Sequence, residues 1–209
     1  VARRDGEWFE RGVTMDANAG LVFSDRPLGG GMLRNMAQSR FPPGSDYASE
    51  LNPAAEALVT TLGQRCDRGL MLLVDYGFPA AEYYHPQRDS GTLMVHYRHR
   101  ALVDPFFCPG LSDMSAHVDF SAVARAGVAG GMTVAGFATQ AQFLLACGVL
   151  DGLARCGDPE SAAYLRAAGA VHKLTSPAEM GELFKVLALT RGLDNDLVGF
   201  RDGDRSHRL

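Results

Sequence analysis

Leu70-Met71-Leu72-Leu73-Val74-Asp75-Tyr76-Gly77 is the stretch on which the reading of this chain turns. Five apolar residues run unbroken and stop at a turn. That pattern predicts a strand buried on both faces, as in the middle of a parallel sheet. Just before it, Asn52 suits a helix N-cap and Pro53 the first helical position, where its missing N–H costs nothing. Ala55, Leu58, Val59, Leu62 and Cys66 then recur at helical spacing as an inward face, and Gly69 separates helix from strand. A helix feeding a buried strand is the repeating unit of an α/β fold. In open sheets of this kind ligands bind beyond the carboxyl ends of strands. Asp75, Tyr76 and Gly77 therefore fall where a site is expected.

Upstream, Trp8–Met15 and Leu21–Ser24 flank the turn-rich Asp16–Gly20 and predict a hairpin. Gly29-Gly30-Gly31 lacks the strand, helix and Lys-Ser/Thr of a phosphate loop and reads as a surface loop continuing through Pro42, Pro43 and Gly44. Downstream, Phe78 to Arg100 is dense in Tyr, His and Arg, with Gly91–Val95 as a short strand or an extended lid segment. Asp119 caps a helix through Gly127, with Phe120, Val123 and Ala124 inward. Met132–Phe137 is another strand. The capping box Thr139–Gln142 opens a helix carrying Phe143, Cys147, Leu150 and Ala154. Asp158-Pro159-Glu160 and Ser176-Pro177-Ala178-Glu179 open two further helices, the second with Met180, Leu183, Phe184 and Leu187 inward. The tail from Arg201 to Leu209 is polar and expected to be loose.

Of the 209 residues, 46% are apolar and 21% charged, the balance of an ordinary globular protein. A net charge of -4 argues against a general nucleic-acid binder. No apolar run is long enough to span a bilayer, and the first residues lack the apolar core of a signal peptide. Cys66, Cys108, Cys147 and Cys156 form no C-x-x-C pair, which leaves reduced thiols in a soluble, cytoplasmic protein as the expectation. His96 and His99 lie three apart with no carboxylate or third ligand at helical spacing, so no metal site is expected. The chain has no initiator Met and opens in what reads as a strand, so it is expected to be part of a longer polypeptide.

No G-x-S-x-G elbow, Walker loop or G-x-G-x-x-G opening a helix is present. What remains is an acidic and aromatic set: Asp75, Tyr76, Glu82, Tyr83, Tyr84, Asp113, His117 and Asp119. Carboxylates bind a guanidinium or ammonium and accept its proton, and aromatic faces help hold positive charge. The set suits group transfer to a cationic or amine substrate. A purely structural reading stays open beside it, with Asp119 a helix cap, Asp75 a turn residue and the tyrosines a half-buried surface.

Leu73–Gly77, Gly91-Thr92-Leu93 and Pro109–Phe120, taken in order, resemble the MidA-like family of S-adenosylmethionine-dependent methyltransferases. Glu50–Pro53, Thr139–Leu144 and Met180–Ala188 look like further blocks of the same family. Its mitochondrial members methylate an arginine in a respiratory complex I subunit during assembly. The family's glycine-rich cofactor motif and Asn-Glu strand end are not in this sequence. The resemblance thus implies the C-terminal half of a Rossmann-like class I sheet, with an N-terminal β-hairpin excursion and C-terminal helices. Its segments would be a hairpin and loop insertion over 1–49, the second half of the α/β domain over 50–157, and a helical extension and tail over 158–209.

The implied activity is S-adenosyl-L-methionine-dependent methylation of a protein arginine nitrogen by the full protein, the fragment alone being inactive. Asp75, Asp113, His117 and Asp119 are the implied catalytic positions, and Tyr76 and Gly77 edge contacts to the cofactor. Asp75 would lie nearest the cofactor–substrate junction, Asp113 or Asp119 would bind the guanidinium, and His117 would relay a proton or make a structural hydrogen bond. A protein substrate is implied, with no nucleic acid and no membrane insertion; a homodimer is compatible with this reading. Two alternatives stand beside it: an assembly or interaction factor that kept the fold without turnover, and an α/β hydrolase with Asp75 as nucleophile.

Overall fold

The computed structural model describes residues 1–44, 46–98, 100–193 and 196–209. In chain order the strands are β1 (Ala2–Arg4), β2 (Glu7–Met15), β3 (Leu21–Pro27), β4 (Tyr47–Ala48), β5 (Gly69–Phe78), β6 (Met94–Tyr97), β7 (Arg100–Leu102), β8 (Asp113–Ser115), β9 (Val118–Asp119), β10 (Thr133–Thr139) and β11 (Phe184–Arg191). The helices are α1 (Met32–Arg40), α2 (Pro53–Arg65), α3 (Ala80–Tyr83), α4 (Phe120–Ala129), α5 (Gln140–Ala146), α6 (Val149–Ala154) and α7 (Ala162–Thr175). They fall into two compact units, Val1–Asn52 with Ala80–His117, and Pro53–Pro79 with Val118–Leu209.

The second unit is built on a sheet of order β10-β11-β5-β9. β11 runs antiparallel to both its neighbours, and β5 is parallel only to β9, at Gly77↔Val118 and Phe78↔Asp119. On one face, Val59 of α2 and Phe120, Val123, Ala124 and Ala126 of α4 pack with Phe137, Leu187 and Leu189. Met71 and Leu73 of β5 add to this core. On the other face, Phe200, Phe143 and Leu197 pack with Ala138, Val186 and Ala188.

β5 is a strand as expected, but it is buried on one face only. Leu70, Leu72, Val74 and Tyr76 remain 46%, 42%, 48% and 40% exposed. The cluster around Phe200 covers that face over β10 and β11 and leaves the β5 side chains uncovered. Among the described residues no strand pairs along Leu70–Val74 on the side away from β11.

Three further expectations change. The inward face of α2 is Val59 and Gly63, while Leu58 and Leu62 are 58% and 45% exposed. Glycines bring α2 and α4 together: a Cβ on Gly130 would sit 2.7 Å from the Thr60 carbonyl oxygen, and one on Gly63 would sit 3.1 Å from that of Gly130. An apolar periodicity cannot register such a contact, because glycine carries no side chain to count. The helix expected from Ser176 is absent. Ser176 instead ends α7, its N–H donating to the His172 carbonyl, and Phe184–Arg191 is a strand with six consecutive buried residues. Burial on both faces removes the alternation that marks a strand, so the run also matched helical spacing. The tail is docked rather than loose. Asp204 Oδ1 accepts the Phe137 N–H at 2.8 Å, Arg205 N–H donates to the Phe137 carbonyl at 2.6 Å, and Leu209 packs against the core.

Several local signals hold. Asp119 caps α4, its Oδ1 accepting the Ala122 N–H at 2.9 Å. Thr139 caps α5 through the Gln142 N–H, although Gly148, at φ 79°, splits the expected single helix into α5 and α6. Ser161, not Asp158, caps α7.

The first unit carries an antiparallel sheet of order β3-β2-β1-β4 and a small sheet of order β7-β6-β8. The β2–β3 hairpin turns at Asp16, whose Oδ1 accepts the N–H groups of Asn18 and Gly20. Helix α1 lies where a loop was expected; only Ala37 of it is buried, so its sequence shows little apolar stripe. The core is aromatic. Phe41 lies 5.7 Å from Trp8, 5.0 Å from Tyr47 and 5.7 Å from Tyr84, and Tyr84 lies 4.8 Å from Tyr83. Among the described residues no helix is long and apolar enough to cross a membrane, and no group of three His, Cys, Asp or Glu side chains is placed to hold a metal. His99 lies outside the described residues.

Candidate active site

The carboxyl end of β5 is set by its register with β11 and β9. Asp75 lies opposite Lys185, and Lys185 lies opposite Thr139 of β10, so three polar residues make one row across the sheet. Asp75 is exposed, and its Oδ1 accepts the N–H of Tyr76 at 2.7 Å. Lys185 is 7% exposed. Its ammonium donates to the carbonyls of Glu182 and Leu183 and lies 5.4 Å from the centre of the Phe78 ring. A buried ammonium needs such acceptors, since desolvation without them is costly. Sequence reasoning missed Lys185 by placing it on a helix; the available signal was a single charge inside an otherwise apolar run.

Tyr76 stacks its ring on Phe184 at 4.0 Å between centroids and remains exposed on the other side. Gly77 is demanded by packing. A Cβ there would lie 2.2 Å from the Val118 carbonyl oxygen and 2.8 Å from the Phe120 ring. The same pairing brings Asp119, opposite Phe78, to the end of β5. Asp119 is half-buried, with one oxygen bound to the α4 backbone. Asp75, Tyr76, Gly77 and Asp119 thus belong to one sheet end.

Asp113 and His117 belong to the first unit. Asp113 is exposed on β8 opposite His96. His117 is half-buried, and its main-chain N–H donates to Thr92 Oγ1 at 3.0 Å. Thr92 is in turn gathered by Glu50. Glu50 Oε2 accepts the Thr92 N–H at 2.9 Å and the Thr92 hydroxyl at 3.0 Å, and Oε1 accepts the Leu93 N–H at 3.2 Å. The Tyr83 hydroxyl lies 3.4 Å from both Glu50 Oε2 and Thr92 Oγ1. Gly91 makes the turn at φ 82°, and a Cβ on it would strike the Glu50 carboxylate. Glu50 and Leu93 also line a cleft of about 290 Å³ with Ser49, Arg11 and Phe23. Sequence reasoning noted both segments and missed that one carboxylate joins them.

Residues 1–138 match the family model of proposed S-adenosyl-L-methionine-dependent methyltransferases. A Drosophila melanogaster mitochondrial homolog of the protein arginine methyltransferase NDUFAF7 is 32% identical over 147 residues, covering 66% of this chain and 31% of that protein. The Mus musculus mitochondrial protein arginine methyltransferase NDUFAF7 is 32% identical over 149 residues, covering 67% and 31%. An uncharacterized Burkholderia thailandensis protein of known structure superposes with a TM-score of 0.92 at 49% identity, over 100% of this chain and 56% of that one. A B. thailandensis protein of the same superfamily, bound to S-adenosyl-homocysteine, superposes with a TM-score of 0.92 at 48% identity, over 100% and 54%. The chain therefore spans 31% of the curated relatives it matches and little more than half of the solved ones. By the family match and by these likenesses, the chain belongs to the family of proposed S-adenosyl-L-methionine-dependent methyltransferases.

Proposed function

We propose that this chain is the substrate-side part of an enzyme that transfers a methyl group from S-adenosyl-L-methionine to a protein arginine nitrogen. The observation that carries the reading is the superposition of the whole chain on a protein holding S-adenosyl-homocysteine, the cofactor without its methyl group. The arginine acceptor is supported by the 32% identity to two mitochondrial protein arginine methyltransferases.

Gly77, near the end of β5, and Gly136, inside β10, do not fit a cofactor cradle. Such a cradle needs backbone left open for close approach. At Gly77 that space is filled by Val118 and Phe120, and at Gly136 a Cβ would meet the Phe200 ring at 2.3 Å. In this reading polypeptide outside residues 1–209 holds most of the cofactor and continues the sheet beyond β5, with the exposed Tyr76 ring as an edge contact. The edge of β5 that no described strand pairs along Leu70–Val74 favours that continuation, and the exposed side chains of Leu70, Leu72 and Val74 favour a covering layer over the same strand.

The proposed roles on the acceptor side follow from charge. Asp75, exposed at a strand end, pairs with the guanidinium and takes up the proton that nitrogen releases. Asp113 or Asp119 binds the guanidinium, and His117 relays a proton or makes a structural hydrogen bond. The test is methyl transfer by the full-length polypeptide to an arginyl peptide, read by mass spectrometry, with cofactor binding followed by calorimetry. Methylarginine is expected, and Asp75→Asn should slow its formation by about a hundredfold. A full-length protein that binds no cofactor and modifies no arginine would sink the proposal.

A further inference from the structure

We infer that Glu50 is a positioning residue for His117, acting through the Thr92 hydroxyl; the substrate role of His117 itself rests on the function proposed above. An ionised carboxylate only accepts hydrogen bonds and offers about four lone-pair positions. Glu50 takes four donors, the Thr92 N–H, the Thr92 hydroxyl and the Tyr83 hydroxyl on Oε2 and the Leu93 N–H on Oε1. The Thr92 hydroxyl has one proton. Given to Glu50 Oε2, it leaves the oxygen lone pairs turned outward, where the His117 N–H donates at 3.0 Å.

The geometry leaves the hydroxyl little freedom. Thr92 is 5% exposed and Tyr83 3%, so water does not compete for these groups. The chain is shaped to fit the carboxylate: Gly91 adopts φ 82°, and any side chain there would occupy the place of Glu50. The direction of the hydrogen bonds thus runs from the His117 main chain to Thr92 and from Thr92 to Glu50. Reversing the last link turns the Thr92 lone pairs toward residue 50 and its proton toward the His117 N–H, where donor faces donor.

Glu50→Gln tests this with little change of shape, because the amide puts a donor where only acceptors belong. Thr92→Val removes the hydroxyl and keeps the branched volume. In the full-length polypeptide, amide hydrogen exchange at His117 should rise by about tenfold or more in each variant, the scale of losing a hydrogen bond tied to a charged acceptor. Exchange at Ala122, held by Asp119, should not change. KM for an arginyl peptide should rise in both variants while the cofactor dissociation constant stays as in wild type, and Glu50→Asp should recover part of the loss. Acceleration at His117 in Thr92→Val but not in Glu50→Gln would overturn the relay. So would equal acceleration throughout the first unit, or weakened cofactor binding, since a general loosening produces both. If wild-type protein shows no arginine methylation, the proposed function fails, and the exchange measurement still decides the positioning.

Discussion

In the sheet unit, Phe120, Phe137, Leu187 and Leu189 are at most 1% exposed, and aliphatic and aromatic side chains from three strands and two helices fill the space between them. In the unit of Val1–Asn52 and Ala80–His117, the buried core is a group of rings around Phe41, and much of the backbone is tied down by carboxylates. Glu50 holds Gly91–Leu93, Asp16 holds the hairpin turn, and Asp25 pairs with Arg4 and Arg11. The difference teaches where each unit is vulnerable. A core of packed apolar groups loses most when volume is removed. Loops held by hydrogen bonds lose most when an acceptor is taken away from donors that cannot reach water.

Leu187→Ala should show the largest effect, a destabilisation of about 3 kcal/mol, because Leu187 lies at the centre of the buried β11 strand. Urea unfolding followed by circular dichroism measures it, and a shift under about 1 kcal/mol would mean that the sheet core is less tightly filled than the burial implies. Gly77→Ala comes next at about 2 kcal/mol, since the added methyl meets the Val118 carbonyl and must push β5 and β9 apart.

Asp119→Ala should cost about 1 kcal/mol through loss of the α4 cap. Asp119→Asn keeps a capping oxygen and should cost less. If that variant is stable but slow in methyl transfer, the carboxylate has work beyond the cap; if rate and stability are both retained, its substrate role is wrong. Leu72→Ala, on the uncovered side of β5, should cost under about 1 kcal/mol in the 209-residue chain. The same change in the full-length polypeptide should cost more if added polypeptide covers that face, so the pair of measurements tests the proposed covering layer directly.

The smallest effect belongs to pH in the first unit. The hydrogen bond from Arg11 holds the Asp25 carboxyl below its ordinary 3.8. A carboxyl lowered in the folded state stabilises fully above its ordinary value and loses that contribution as pH falls through the lower, folded one. With the arginines 31% and 48% exposed, solvent screening leaves this on the order of 0.5 kcal/mol. Trp8, the one tryptophan of the chain, sits in this unit's aromatic core and reports on it by fluorescence. In acid titration, wild type should be the more stable above about pH 4, and its advantage over Asp25→Asn should fade as pH falls below that. A difference that persists undiminished at the acid end would mean that the aspartate acts through packing rather than charge.

β5 and β11 show most plainly what could be read in advance. Both are apolar runs, and they lie side by side in register. Leu70–Val74 was legible as a strand, although it runs on through Asp75-Tyr76-Gly77 to Phe78 where a turn was expected; which of its faces is buried was not legible, because that depends on Phe200 and Phe143 covering only the neighbouring strands. Phe184–Arg191 is buried on both faces, which erases the period of two and lets the run pass for a helix. The docked tail escaped notice for a similar reason: Asp204 and Arg205 look like a solvated end until they bond to the backbone of Phe137.

What the sequence by itself determined is local. The Asp119 and Thr139 caps, the hairpin turn at Asp16 and the start of α2 each depend on residues within a few positions of one another, where side-chain chemistry competes directly with backbone hydrogen bonding. The ordered blocks that resemble the methyltransferase family were likewise visible in the residues alone, and the family match over residues 1–138 agrees with those up to Phe120. Only the tertiary structure decided which surfaces meet. Glu50 reaches Thr92 across 42 positions, and α2 meets α4 through glycines. Lys185 takes its place at the sheet end because β11 runs between β5 and β10. Such contacts arise from how distant segments fill one another's space, and no periodicity along the chain encodes them.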